Sequence, residues 1–320
     1  MKALFFKTFG DANVLQYGTL PDPQIGSEDL LVQTHYIGLN FADIYRRRGT
    51  YHLEPHTPFI DGYEGLGQIV AIGSDVTTFT LGERVLFVDV PFANASLVRV
   101  PRDHAIRVPS AIDDKTAASI GLQGLTADFL AHDLARNHVG DRVLIHGISG
   151  GVGQLLAQML IADGVQVAGV TSTLAKREIA LKLGASRVFL RHSDWAEHER
   201  GHFDTVFDGV GVTLPLSFDL VGHRGSVVFY GMAGGLPPKI DAVKLLNQSK
   251  SLLTGDLWDY LTSFEARQTR STRLFRYVLN GAIKVQPPTI LPLADGRKAH
   301  ELLESGKSTG KILLESGSFS

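Results

Sequence analysis

The sequence has no cysteine, which excludes disulfides, thiolate nucleophiles and cysteine-built zinc or iron–sulfur sites. It has no apolar run near the about 18 residues of a membrane span. Its start, Met1-Lys2-Ala3-Leu4-Phe5-Phe6, lacks the long apolar segment and small-residue cleavage pattern of a secretory signal. Charge of one sign is also missing: Lys and Arg number 31, Asp and Glu 33, for a net charge of −2. Neither nucleic acid nor an anionic membrane is therefore an expected partner. Internal repeats and low-complexity linkers are absent. A cytoplasmic globular protein is expected, and 320 residues at 44% hydrophobic content can build two closely joined domains with a ligand cleft between them.

What is present centres on Asp141 to Lys176. The apolar run Val143 to Ile145 meets glycines at 147, 150, 151 and 153, and Leu155 to Ile161 continues with helical spacing. A second apolar run, Val165 to Val170, follows Asp163-Gly164. Strand, tight turn, helix and strand in about 30 residues form a βαβ unit of mononucleotide-binding size. Glycines let the turn approach a ligand, and the N–H groups and positive dipole end of the helix suit a pyrophosphate. Against the pattern G-x-G-x-x-G, Gly150 and Gly153 fill the second and third positions while Ile148 stands in the first.

Charge selects the dinucleotide. NAD binders place an acid about 20 residues beyond the glycines to hold the ribose 2′-hydroxyl. Here the second strand ends Val170-Thr171-Ser172 without one. Ser172 can hydrogen-bond a 2′-phosphate, and Lys176, Arg177 and Arg191 can neutralise it. NADPH is the expected cofactor.

From Lys2 to Pro109 the texture is strand-like: Ala3 to Phe6, Leu30 to Ile37, Gln68 to Ile72, Val85 to Val88 and Ser96 to Val100, with Phe41 to Arg48 as a helix. This predicts a compact antiparallel, barrel-like module. Helices are expected at Asp113 to Ala118, capped by Ser110, and at Leu122 to Ala135. Strands near Arg142, Gln166, Arg187, Thr205 and Ser226, with helices between, then predict a parallel sheet. Ser251 to Leu257 is a further strand candidate. Helices at Tyr260 to Ala282 and Ala294 to Ser305, and extended pieces at Thr289 to Pro292 and Lys311 to Leu314, return to the first module. The expected domains are 1–117 with 258–320, discontinuous, and 118–257 inserted between them.

The chain resembles the medium-chain dehydrogenase/reductase superfamily, in its zinc-free quinone oxidoreductase (zeta-crystallin-like) branch. The carriers are Gly38-Leu39-Asn40-Phe41-Ala42-Asp43, Gly62-Tyr63-Glu64-Gly65-Leu66-Gly67, Gly82-Glu83-Arg84-Val85, Gln123-Gly124-Leu125-Thr126-Ala127, His146 through Gly153, Asp208-Gly209-Val210-Gly211, Tyr230-Gly231, and Gly306 through Lys311. The resemblance implies an α/β protein with a GroES-like catalytic domain and an inserted Rossmann domain. It also implies NADPH-dependent reduction of quinones or α,β-unsaturated carbonyls, and a homodimer through the last strand of the Rossmann sheet. Zinc-dependent relatives carry a cysteine near Gly38 to Asn40 and a histidine before the glutamate of the G-x-E segment. This chain has Asn40 and Tyr63 there, so no metal is expected. Cofactor contacts are expected from Thr126, Gly150, Gly151, Val152, Gly153, Ser172, Lys176 and Arg191, and family position implies that Val210, Gly231 and Lys311 close around the nicotinamide end or nearby. Arg191 stands where quinone oxidoreductases tend to have tyrosine.

In a metal-free cleft hydride leaves the cofactor for an electrophilic carbon, and the protein orients the partners and places donors where charge develops. The candidate donors are Asn40, Tyr45 and Tyr51; a phenol of pKa about 10 is a general acid at neutral pH. Asp43 and Glu64 are read as structural, Arg46-Arg47-Arg48 as a solvated helix end, and His146 as packed in the core. Two rivals stand beside the quinone reading: an enoyl thioester or alkenal reductase using Tyr51, and a catalytically silent NADPH-binding protein.

Overall fold

The structure, a computed structural model, describes residues 1–317; residues 318–320, assigned from sequence to the discontinuous domain, lie outside the described residues. In chain order the elements are β1 (Lys2–Phe6), β2 (Gln16–Thr19), β3 (Asp29–Leu39), α1 (Phe41–Arg47), β4 (Phe59–Ile60), β5 (Glu64–Ile72), β6 (Arg84–Val88), β7 (Leu97–Pro101), β8 (Ala105–Arg107) and α2 (Asp114–Phe129). Then follow β9 (Arg142–His146), α3 (Gly151–Ala162), β10 (Gln166–Thr171), α4 (Leu174–Lys182), β11 (Arg187–Leu190), α5 (Trp195–His198), β12 (Phe203–Asp208), α6 (Leu214–Leu220) and β13 (Val221–Phe229). The chain continues through α7 (Ala242–Gln248), β14 (Ser251–Thr254), α8 (Phe264–Leu279), β15 (Thr289–Pro292), α9 (Gly296–Glu304) and β16 (Ile312–Glu315).

Two compact units emerge. The first holds Met1–Gln123, Leu261–Phe275 and the chain from Val285 onward; the second holds Gly124–Tyr260 and Arg276–Lys284. The first unit is organised on β3, which pairs antiparallel with β5, β7 and β16. A bulge in its pairing with β5 falls between Thr34 and Tyr36. Because side chains alternate with a period of two, the extra residue flips the inward face. Leu30 and Val32 accordingly pack with Val98 and Val100 in one core, whereas Ile37 and Leu39 pack with Ile312 and Leu314 in another. One strand thus serves two cores, and the C-terminal strands complete the second.

The second unit is a six-stranded, wholly parallel sheet in the order β11-β10-β9-β12-β13-β14. Successive strands run outward from β9 on one side and then, from β12, on the other. This is the doubly wound Rossmann arrangement, with its topological switch between β9 and β12. Leu144, Val170, Val206 and Val227 are buried in the core of this unit together with Phe203 and Phe218.

Two sequence expectations change here. The helices expected at 113–118 and 122–135 are one helix, α2, which a π-helical turn at Leu130–Ala135 continues. Residues 119–121, left between the two expected helices, lie mid-helix. The start of α2 is capped by Asp113, whose carboxylate accepts from Thr116 N (3.0 Å) and Oγ1 (2.6 Å), not by the exposed Ser110. No helix among the described residues is long and apolar enough to cross a membrane.

Candidate active site

The polar centre of the first unit is built on Glu64, which opens β5. Its side chain lies in a slot between two glycines. A Cβ at Gly38 would stand 2.1 Å from Glu64 Oε1, and one at Gly121 would stand 2.5 Å from Oε2. Gly121 is therefore a point of close approach inside a helix. Glu64 Oε2 accepts from Leu122 N (2.7 Å), and Oε1 accepts from Asn40 Nδ2 (2.8 Å) and from Lys311 Nζ. Asn40 gives its other contact to the Gly38 carbonyl (3.3 Å), while its side-chain oxygen accepts from Lys311 Nζ (3.0 Å) and Gln123 Nε2 (3.3 Å). Glu64 and Lys311 are 1% and 3% exposed, so charge is desolvated only where it is paired and hydrogen-bonded, as burial of ions requires. Asn40, a candidate donor by sequence, and Lys311, a candidate cofactor contact, are both committed within this network.

Helix α1 begins at Asn40, whose N–H donates to Asp43 Oδ2 (2.8 Å). The helix end expected to be solvated is buried instead: Arg46 and Arg47 are fully enclosed, and only Arg48 is exposed. Each buried guanidinium has partners that repay its desolvation. Arg47 donates to the Gly10 carbonyl (3.2 Å) and Glu304 (2.7 Å) and meets His300 Nδ1 at 3.1 Å. Arg46 donates to Asp43 Oδ1 (3.3 Å) and to the His52 carbonyl (3.0 Å), and lies 3.7 Å from the Tyr63 ring centroid and 5.1 Å from that of Tyr51. Burial raises the Asp43 carboxyl to about 6 against the pull of Arg46. Burial, with Asp43 beside it, also lifts Asp61 well above the usual carboxylate range. Tyr45 and Tyr51, the two phenols selected by sequence, are half-buried and meet edge to face at 6.5 Å.

The second unit offers a different surface, at the carboxyl edge of its sheet. Gly147 turns with φ +71° and its carbonyl accepts from Gly150 N (2.8 Å). A Cβ at Gly153 would come within 2.5 Å of that carbonyl, so the start of α3 passes over the turn only with glycine there. Helix geometry leaves the N–H groups of Gly151, Val152 and Gly153 facing outward at the first turn. Ile148, in place of the first glycine of the pattern, is 1% exposed and packs over Gly169 on β10. It turns inward, toward β10.

A concavity at this edge is lined by His146, Gly147, Val170, Arg191, Val210 and Thr213. Burial lowers the pKa of His146, against Asp208, which fits a neutral core imidazole. Ser172 follows β10 and is half-buried; Arg191 follows β11, is exposed, and is tied to Thr171 O through its backbone N–H (2.8 Å). Lys176, on α4, has its pKa lowered by burial and then by Arg191, so two cations converge where the sequence lacks an acid. Asp208, missed as a site residue, fixes the Val210 turn by accepting from Val210 N (2.9 Å), Gly211 N (3.0 Å) and Ser217 Oγ (2.6 Å). The Gly231 backbone turn packs against Gly209. Thr126 is half-buried on α2. The spacing H-x-x-x-H occurs twice, at His52/His56 and His198/His202, with one pair in a loop and the other running off the end of α5. Among the described residues no group of three or more potential ligands can hold a metal.

The family model for the alcohol dehydrogenase GroES-like domain matches residues 26–133, and that for zinc-binding dehydrogenases matches residues 183–314. A probable quinone oxidoreductase of Schizosaccharomyces pombe is 33% identical over 95% of this chain and 94% of its own length. The chain belongs to the quinone oxidoreductase family of the medium-chain dehydrogenase/reductase superfamily. A quinone oxidoreductase of Escherichia coli solved with NADPH superposes with a TM-score of 0.92 at 29% identity, covering 98% of this chain and 100% of that one. A 2-haloacrylate reductase of a Burkholderia species is 32% identical over 87% of this chain and 88% of its own. Membership of the quinone oxidoreductase family accounts for a GroES-like unit joined in one chain to a Rossmann sheet.

Proposed function

We propose that the chain is an NADPH-dependent oxidoreductase that reduces quinones or α,β-unsaturated carbonyls without a metal. The observation that carries the reading is the carboxyl edge of the second unit. There the glycine turn at Gly147 and Arg191 line one concavity, Ser172 directly follows β10 and Arg191 acts on the Lys176 ammonium, in a chain whose relatives include a quinone oxidoreductase solved with NADPH. The residues fit the cofactor. Gly150 to Gly153 suit the pyrophosphate, Ser172, Lys176 and Arg191 the 2′-phosphate, and Thr126, Val210 and Gly231 are proposed to line its remaining length. When bound, NADPH supplies hydride to the acceptor.

The chain's own groups orient and protonate. Tyr51, with Tyr45 beside it, is proposed as the donor that protonates a conjugated carbonyl acceptor. Quinone needs no dedicated acid, since water can protonate a hydroquinone oxygen. Asn40 and Lys311 act through the Glu64 network, holding α1 and hence the tyrosines in place. The 2-haloacrylate reductase relative favours conjugated alkenes as a second acceptor class. A homodimer through β14, an edge strand paired on one side to β13, and a cytoplasmic setting complete the proposal; light scattering and fractionation check them.

The deciding experiment follows NADPH and NADH oxidation in parallel against quinones, alkenals and enoyl thioesters. NADPH should be preferred with quinone or alkenal acceptors. Tight NADPH binding with no turnover across the panel would leave the catalytically silent alternative.

A further inference from the structure

Arg46 is fully buried beside the proposed site, and nothing in the reading above gives it a task. Its contacts divide into two sets. On one side it holds Asp43 (3.3 Å), whose other oxygen caps the Asn40 N–H. On the other it holds the His52 carbonyl through Nε (3.0 Å), meets His52 Nε2 at 3.5 Å, and stands over the Tyr51 ring at 5.1 Å. The Tyr63 ring lies against it at 3.7 Å, and the Tyr63 hydroxyl accepts from Glu54 N (3.1 Å). The segment carrying Tyr51 is thus pinned at His52 and Glu54 by one stacked Arg46–Tyr63 pair. The titratable and charged groups facing the guanidinium are Asp43, Asp61, His52, Tyr51 and Tyr63.

We infer that Arg46 is a positioning residue for Tyr51: it fixes the loop that presents the phenol and places a positive charge over its ring. The inference rests on the reading of Tyr51 as proton donor. A cation on the face of a phenol is attracted to the ring and more strongly to the phenolate. Arg46 therefore makes Tyr51 the stronger acid while staying out of contact with the acceptor. Lysine cannot replace it fully, because an ammonium has neither the planar stack nor the directed Nε–H.

The test joins a titration to a double-mutant cycle. Ultraviolet titration of tyrosinate is run on the protein without cofactor, and the Tyr51 signal is isolated by subtracting the corresponding Tyr51→Phe variant. Arg46→Met should move Tyr51 ionisation upward by about half a unit to one unit, and Arg46→Lys by less. In turnover of an alkenal, Arg46→Met should lower kcat about tenfold with KM for NADPH unchanged, but by less than about twofold in the Tyr51→Phe background. Equal ionisation in Arg46→Met and the parent overturns the inference, as does an equal loss of kcat in both backgrounds. If Arg46→Met does not fold, Arg46→Lys is read the same way, and an unmoved titration with unmoved kcat overturns it. Full alkenal turnover by Tyr51→Phe would remove Tyr51 as proton donor, and the titration would still decide what Arg46 does to it.

Discussion

The Glu64 centre and the carboxyl edge of the parallel sheet are both polar, but they use polarity in opposite ways. Around Glu64 a carboxylate, an ammonium and two amides are buried and bonded to one another. At the sheet edge two cations, Lys176 and Arg191, lie near each other, and burial and then Arg191 disfavour the charge of Lys176. A buried cluster whose charges of both signs pair with one another is architecture. Converging charge of one sign at the end of a sheet, beside the outward N–H groups of a helix start, is a place prepared for an anion.

The contrast is broken most severely at Glu64. Glu64→Ala strands a buried ammonium and should cost about 3–5 kcal/mol of stability, measured by urea denaturation; a loss under 1 kcal/mol would deny that the network is structural. At the sheet edge, Lys176→Glu should leave stability within about 0.5 kcal/mol. It should raise the Kd for NADPH about 10–100-fold with little change for NADH. Equal effects on the two cofactors would refute the phosphate assignment.

A smaller effect sharpens the buried side. His300 is held neutral to about 3, first by burial and then by Arg47, so the unfolded chain binds more protons below about pH 6.5 and stability falls as pH falls. Asp43, raised to about 6, works in the other direction. Its stabilisation is present below its unfolded pKa of about 3.8 and lost as pH rises through 6. The two trends oppose one another between about pH 4 and 6. His300→Gln removes the first and keeps an acceptor for Arg47, so its Tm should rise on going from pH 6 to pH 4 relative to the parent. Parallel Tm curves would show that His300 does not titrate in this way.

Periodicity and glycine placement made most of the architecture legible. The βαβ run at 141–171 and the alternation behind it are local signals, and the strands of the parallel sheet overlap their expected positions, whereas β2, β4 and β8 were not expected and β5 begins at Glu64 rather than Gln68. What misled was tertiary in origin. The two helices expected at 113–118 and 122–135 are one, and the glycine between them, Gly121, makes room for a carboxylate 57 positions earlier, at Glu64. Arg47 looks solvated because its partners His300 and Glu304 are remote in sequence, and Arg46 because the Tyr63 ring that covers it lies beyond the helix and its loop. The proposed cofactor edge rests on cues that sit close together in sequence: glycines, a strand end without an acid, and nearby cations. The bulge in β3 that divides the two cores had no local marker.

The place of β16 has a consequence for synthesis on the ribosome. Lys311, which neutralises Glu64, immediately precedes this strand, and β16 supplies one side of β3. While the nascent chain is still short of residue 311, Glu64 has no counter-ion and the second core has no closing strand. The parallel sheet, by contrast, has all its strands once Thr254 has emerged. The inserted half can thus mature during translation, while the half that both begins and closes the fold must wait in an open form for its last segment.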